Sequence, residues 1–342
     1  MQRIGKYSII TTGEFDSSEA DVIILDSNIL IDIDKFYYKG LSKQSCDNLC
    51  TLLHKFERVD EVDYRYALME TCFRRTKHDA AHAGRMMDAI YAMWNSDLGK
   101  IDEMLSRGST MVGRETGGRF AQLTEDEIKA SIDFPSVLYI MYGTNLHTIM
   151  TYEKNGKNRG DAYSAHCRWV RDELGCVSAY PRMVARSLFL GQADEHNSAR
   201  SLLKMDKRDM AIADKAWNSA WDCFFMFVLD GYRMGKEGVV DERWRNRPAR
   251  AVLVTARDQV WIDSMSSFLG YMQSEGKSFP FLAHTLRIKK EFLGIARMEA
   301  NLDREHHQAM LDNNTEENRF IETIIKLENN IGVQPRTLFD VK

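Results

Sequence analysis

Two short aliphatic runs decide most of what this chain can fold into. Val22-Ile23-Ile24-Leu25 and Ala251-Val252-Leu253-Val254-Thr255 show no alternation of apolar and polar positions. As strands they need cover on both faces, which is the environment of a parallel sheet. Elsewhere the apolar residues recur every three to four positions: Leu49, Leu52, Leu53 and Phe56, then Tyr66, Met69 and Phe73, then Ala83, Met86, Ile90 and Met93. The same helical spacing returns in Met210, Ala213, Trp217, Ala220, Phe224, Val228 and Tyr232. Strands alternating with helices predict right-handed crossovers and an α/β fold with a mainly parallel sheet. A third strand is expected at Phe279-Pro280-Phe281-Leu282, where the proline confines it to a sheet edge.

A chain of 342 residues exceeds the commonest domain size, so one core carrying a large insertion, or two domains, is expected. The pattern divides it into an α/β domain in two halves, 1–100 and 207–285, separated by a mainly helical insertion, 101–206, and followed by a charged C-terminal helical extension, 286–342. The extension is expected to pack on the outside. A net charge of −4 excludes a broad basic coat for nucleic acid. Nucleic-acid contact must then come from local clusters: Arg74, Arg75 and Lys77; Lys154, Lys157 and Arg159; Arg243, Arg245, Arg247 and Arg250; Arg287, Lys289 and Lys290. Each cluster reads equally as a solvated helix face or loop. Six cysteines without a Cys-x-x-Cys pair fit reduced thiols in a cytoplasmic setting. No stretch has the apolar length of a signal peptide or a bilayer span, so no membrane partner is expected.

In open parallel sheets ligands bind beyond the carboxyl ends of the strands, which gives weight to acids placed there. Asp26 follows the first strand directly, and Asp258 follows the second after two residues. Either acid could instead cap the next helix or sit in its first turn. Glu70 lies beside the apolar stripe of Tyr66 and Phe73, and Asp222 sits within Ala220-Trp221-Asp222-Cys223-Phe224-Phe225. A buried carboxylate needs a cation or a donor nearby, either a metal or a basic side chain. Asp214, Asn218 and Asp222 fall at four-residue steps on one helix face, with Asp214 as the reserve ligand. Several carboxylates together suit hard divalent cations, Mg2+ or Mn2+, and the reaction such ions serve is phosphodiester hydrolysis.

Ile24-Leu25-Asp26-Ser27-Asn28-Ile29-Leu30 resembles the opening motif of PIN-domain nucleases, and Leu253-Val254-Thr255-Ala256-Arg257-Asp258 resembles their late strand ending in threonine and aspartate. The resemblance covers roughly residues 20–95 and 207–285, about half the chain. It departs from the family in having two residues, not one, between Thr255 and Asp258, and in the long stretch between the halves. It implies a three-layer α/β/α domain that cleaves RNA, with Asp26, Glu70, Asp222 and Asp258 as catalytic metal ligands for Mg2+ or Mn2+. It makes Asn28 and Thr255 supporting polar groups. Arg74 and Arg75, one turn beyond Glu70, would position the phosphate backbone of single-stranded or unpaired RNA. DNA as substrate, a catalytically inactive binding module, and a homo-oligomer or regulatory partner held by the insertion and C-terminal helices remain alternatives.

Other motifs compete. His78-Asp79-Ala80-Ala81-His82 would place two histidines on one helical face, as in a zinc hydrolase, with aspartate where glutamate is usual. Glu305-His306-His307 reads as surface. Gly113 to Gly118 lacks the lysine of a phosphate-binding loop and reads as a turn. A haloacid-dehalogenase-like phosphatase would need an acid at position 28, which is asparagine.

Overall fold

The structure is a computed structural model that describes residues 2–11, 13–59, 61–74, 77–112, 136–235, 239–240, 242–256, 262, 287–312 and 319–334. The chain divides into two compact units, one of residues 1–133 and 228–258 with Lys342, the other of residues 134–227 and 259–341. The sequence segmentation had set an insertion at 101–206 and an extension at 286–342. The structural boundaries fall instead near 134, inside a long helix at 227/228, and at 258/259.

The first unit carries the sheet. Its strands are β1 (Gln2–Ile4), β2 (Tyr7–Thr11), β3 (Val22–Leu25), β4 (Glu61–Asp63) and, far along the chain, β7 (Ala251–Thr255). They lie in the order β1-β2-β7-β3-β4. β7, β3 and β4 are parallel, as the aliphatic runs demand, and β3 and β7 are almost wholly buried along their whole lengths. The α/β class and a parallel core are therefore as expected. The sheet as a whole is mixed, because β1 and β2 form an antiparallel hairpin that pairs with β7 through β2. Its two-residue loop is Gly5-Lys6, with Gly5 at φ +55° as such a turn requires, and a Cβ there would collide with the side chain of Asn48.

Between β3 and β7 this unit adds α1 (Ser27–Tyr38), α2 (Lys43–Lys55), α3 (Arg65–Cys72), a minimal hairpin β5 (Phe73–Arg74) and β6 (Lys77–His78), α4 (Ala80–Trp94) and α5 (Leu98–Ser106). The helical pattern from 42 to 94 corresponds to three helices, α2, α3 and α4. Three short strands interrupt it, because pieces of two or three residues are too brief to leave a periodic signature. α1 is sandwiched by partners: α3 and α4 both pack against it. Arg85 of α4 clamps Asp34 of α1 through Nε at 2.8 Å and Nη2 at 3.3 Å. On the same helix, Asp32 is held by Tyr7 Oη at 3.0 Å and Lys6 Nζ at 2.7 Å. The expected strand at 279–282 and the turn at 113–118 lie outside the described residues.

The second unit is helical among its described residues: α6 (Ser136–Asn155), α7 (Arg159–Trp169) with a π-helical turn at Val170–Leu174, α8 (Ala179–Leu190), α9 (Ala193–Leu202), most of α10 (Ile212–Met234), α11 (Leu293–Asp312) and α12 (Arg319–Asn330). The C-terminal helices are amphipathic, each with one buried face and one exposed face. Phe320, Ile324 and Leu327 of α12 are buried, and Ile324 meets α6 so closely at Gly143 that a Cβ there would lie 2.7 Å from it. From α11, Glu299 and Asp303 are buried as ions. Arg171 Nη1 reaches both at 2.8 Å, and Arg182 reaches Asp303 through Nε at 2.8 Å. Buried charges of this kind persist only when paired.

Candidate active site at the carboxyl ends of the parallel strands

The parallel strands run in the spatial order β4-β3-β7. From β3 the chain moves through α1 and α2 to β4 on one side, then returns much later to β7 on the other. The order reverses between β3 and β7, and a reversal of this kind opens a crevice at the carboxyl ends where the loops part. Leu25 is in register with Val254, so the next residues, Asp26 and Thr255, face one another at that point. The amide of Asp26 continues the ladder by donating to the Val254 carbonyl at 3.0 Å.

Asp26 occupies the N-cap position of α1, with extended backbone at φ −76° and ψ 154°. Its main-chain carbonyl accepts from the amides of Ile29 and Leu30 and starts the helix. An aspartate at such a position ordinarily turns its carboxylate back onto the first amides. Asp26 makes no side-chain capping bond. Its carboxylate is directed to the strand end: Thr255 Oγ1 donates to Oδ2 at 2.7 Å, Asn28 Nδ2 to the same oxygen at 3.3 Å, and Ser27 Oγ to Oδ1 at 3.1 Å. Asp26 is 1% exposed and Thr255 0%, whereas Asn28 is exposed at the mouth. Asp26 thus stands at the cap of α1 through its backbone alone, with its carboxylate engaged elsewhere. Thr255 and Asn28 do bind and orient Asp26.

Sequence reasoning missed a third acid at this end of the sheet. Asp63 closes β4, level with Ile24 of β3. Arg65 holds it through Nε at 3.0 Å and Nη2 at 2.7 Å, and Tyr232 Oη donates to it at 2.7 Å. The signal was the trio Glu61-Val62-Asp63, hidden inside a helical pattern. With both oxygens engaged by a guanidinium, Asp63 serves to anchor the start of α3 and the end of α10. Burial, then the charge of Asp63, raises the Tyr232 hydroxyl far above its ordinary range and keeps it a donor.

Glu70 lies on α3, half-buried, on a helix that begins at the carboxyl end of β4 and packs against α1. Asp258 lies outside the described residues, as does Arg75, and of Arg74 the backbone alone is described, in β5. Asp222, Asn218 and Asp214 are on the part of α10 that belongs to the second unit. Asp222 is 1% exposed and pairs with Lys204 Nζ at 2.8 Å, so its cation partner is a basic side chain of its own unit. Asn218 Nδ2 donates to the sulfur of Met210 at 3.6 Å.

The histidine pair at 78 and 82 is not on one helical face. His78 is in β6, and Asp79 ends the strand and caps α4, accepting from the amide of His82 at 3.0 Å. A capping aspartate between them breaks the i, i+4 geometry a zinc hydrolase needs. The arginines of 241–250 are committed to protein partners: Arg243 to Glu61, Arg245 to Glu242, Arg250 to Asp21 and Glu19, with Arg247 lying over Trp244. His306 Nε2 donates to the Gly175 carbonyl at 3.0 Å and the residue is half-buried, not a free surface group. All six cysteines are free thiols. Among the described residues no helix is long and apolar enough to cross a membrane.

No family model matches this chain, and no curated protein or solved structure matches it either.

Proposed function

We propose that the chain is a metal-dependent phosphodiesterase acting on RNA, built on a PIN-like α/β domain, with its centre in the first unit at Asp26. One observation carries this reading. A buried carboxylate at the reversal point of a parallel sheet caps no backbone amide of α1 and is instead fixed by side-chain donors, Thr255 from β7 and Ser27 and Asn28 from the first turn of α1. A side chain held at that cost to capping is positioned for something beyond the strand ends.

A carboxylate oxygen suits Mg2+ or Mn2+, and the side chains seen to hold Asp26 are two hydroxyls and an amide. When bound, the ion would activate water and neutralise the phosphate. Asp26 is the residue that would hold it. Thr255 orients Asp26 by donating to Oδ2, and Asn28 holds the same oxygen from the exposed side. Glu70, on the helix packed against α1, and Asp258, from the sequence motif, are proposed to complete the acidic set. Asp222, the fourth acid of the motif, is paired with Lys204 in the second unit.

The test is incubation of the purified protein with labelled single-stranded RNA and DNA, with Mn2+ or chelator, beside Asp26→Asn. Manganese-dependent cleavage lost in the variant supports the reading and shows which polymer is preferred. A wild type inert on both polymers, with no Mn2+ binding by calorimetry, would replace it with a binding module.

A further inference from the structure

A second constellation of chemistry-bearing side chains lies away from the strand ends, where α2 packs against α5. Cys50 and His54 are one helical turn apart on α2, so both project from one face. Asp102 reaches them from α5. Cys50 Sγ lies 3.0 Å from Asp102 Oδ1, and His54 Nε2 lies 2.9 Å from Asp102 Oδ2. One donor atom from each of the three residues falls within 4.8 Å of the others.

The depth of the three groups differs in a way that suits an ion. Cys50 is 5% exposed and forms a floor, while the side chains of His54 and Asp102 are 42% and 51% exposed and form a rim. A histidine and an aspartate pairing on a surface need no thiol beneath them. Around tetrahedral zinc, with bonds of about 2.0–2.3 Å, neighbouring donors stand about 3.3–3.7 Å apart. The present separations need to open by a few tenths of an ångström, and both rim side chains are free to do so towards solvent.

A catalytic cysteine is the other chemistry such residues suggest, and the connectivity argues against it. The thiol donates to the carboxylate and not to the imidazole, so the cysteine–histidine contact of a thiol nucleophile is not made. Sulfur, nitrogen and one carboxylate together select zinc or a similar transition metal over magnesium or calcium.

We propose that Cys50, His54 and Asp102 form a zinc site with its fourth position open to solvent. On binding, the thiol gives its proton to solvent and the metal takes its place. Three protein ligands plus one exchangeable position is the arrangement of zinc sites that bind an exogenous group, water in the simplest case. The site is separate from the strand-end centre and stands or falls independently of it.

The experiment is a titration of the full chain with Co2+, followed by competition with Zn2+. One cobalt per chain, with a thiolate-to-cobalt charge-transfer band and tetrahedral visible bands displaced by zinc, is expected. Cys50→Ala should abolish the charge-transfer band. His54→Ala and Asp102→Asn, both at exposed positions, should each weaken cobalt binding at least tenfold. Cys46→Ala, one turn earlier on α2, should leave the band intact. Absence of the band in the wild type overturns the proposal, as does a band that survives Cys50→Ala. If Cys50→Ala fails to fold, unchanged affinity in both His54→Ala and Asp102→Asn overturns it equally.

Discussion

Lys204 sets its ammonium 2.8 Å from the carboxylate of Asp222, and the pair joins the second residue beyond α9 to the middle of α10. Asp222 is 1% exposed and the Lys204 side chain 19%, so most of the charge pair is withdrawn from water. Removing one partner strands the other. Lys204→Met should lower unfolding stability by about 3 kcal/mol, and adding Asp222→Leu to it should recover much of that loss. Urea denaturation of the single and double variants measures both. A single variant as stable as wild type would mean that another group holds Asp222.

The threonine at the end of β7 offers a sharper test of the strand-end centre. Thr255→Val preserves shape in a fully buried position and deletes the 2.7 Å donor to Asp26. Cleavage should fall about tenfold or more, and stability by about 1–3 kcal/mol, because a buried carboxylate oxygen loses a hydrogen bond. Thr255→Ser should retain most of both. Equal activity in valine and serine variants would remove Thr255 from the centre.

Acid sensitivity is expected of the second unit. His147 and His166 face each other at 2.9 Å between their Nδ1 atoms. Burial, then Arg182, lowers His147 to about 4, and burial, then His147, lowers His166 well below the ordinary histidine range. The unfolded chain therefore binds more protons than the folded one as pH falls below about 6.5, and stability declines through that window towards pH 4. The slope approaches about 1.4 kcal/mol per pH unit for each histidine. Comparing urea midpoints of wild type and His147→Leu from pH 7 to 5 isolates the effect: the variant should show the shallower decline. Parallel curves would count against it.

The C-terminal helices should matter to stability through one residue. Asp303 faces both Arg171 and Arg182, and its loss leaves the half-buried Arg171 with Glu299 and the buried Arg182 with Cys167 as remaining polar neighbours among those described. Asp303→Ala is expected to cost about 3–5 kcal/mol. A measured loss under about 1 kcal/mol would show that water or rearrangement replaces the carboxylate.

How legible these features were differs from residue to residue. Val22–Leu25 and Ala251–Thr255 could be read at once because burial on both faces leaves no polar position in the run. The pairing of Asp26 with Thr255 was implied by the family resemblance and not by spacing. What proved it a partnership was a rotamer choice, the carboxylate leaving its cap position, which no sequence encodes openly. Asp63 escaped because a three-residue strand is shorter than the window in which periodicity is detectable. The buried acid Asp222 was recognised as needing a cation, yet the choice between metal and lysine depends on where Lys204 falls in three dimensions. The helical face assumed for His78 and His82 failed at Asp79, whose capping preference ends one element and starts the next.

The place of β7 in the sheet has a consequence for how the molecule is made. β7 lies between β2 and β3, and its threonine meets an aspartate 229 positions earlier in the chain. Until that late strand arrives, the N-terminal hairpin has nothing to join it to the rest of the sheet, and β3 presents an open aliphatic edge. Closing a loop of this length is slow, and an open edge invites wrong partners in the interval. During synthesis the first 250 residues must therefore wait on the ribosome with their central slot empty. Aggregation of nascent chains would be governed by the delivery of that one strand.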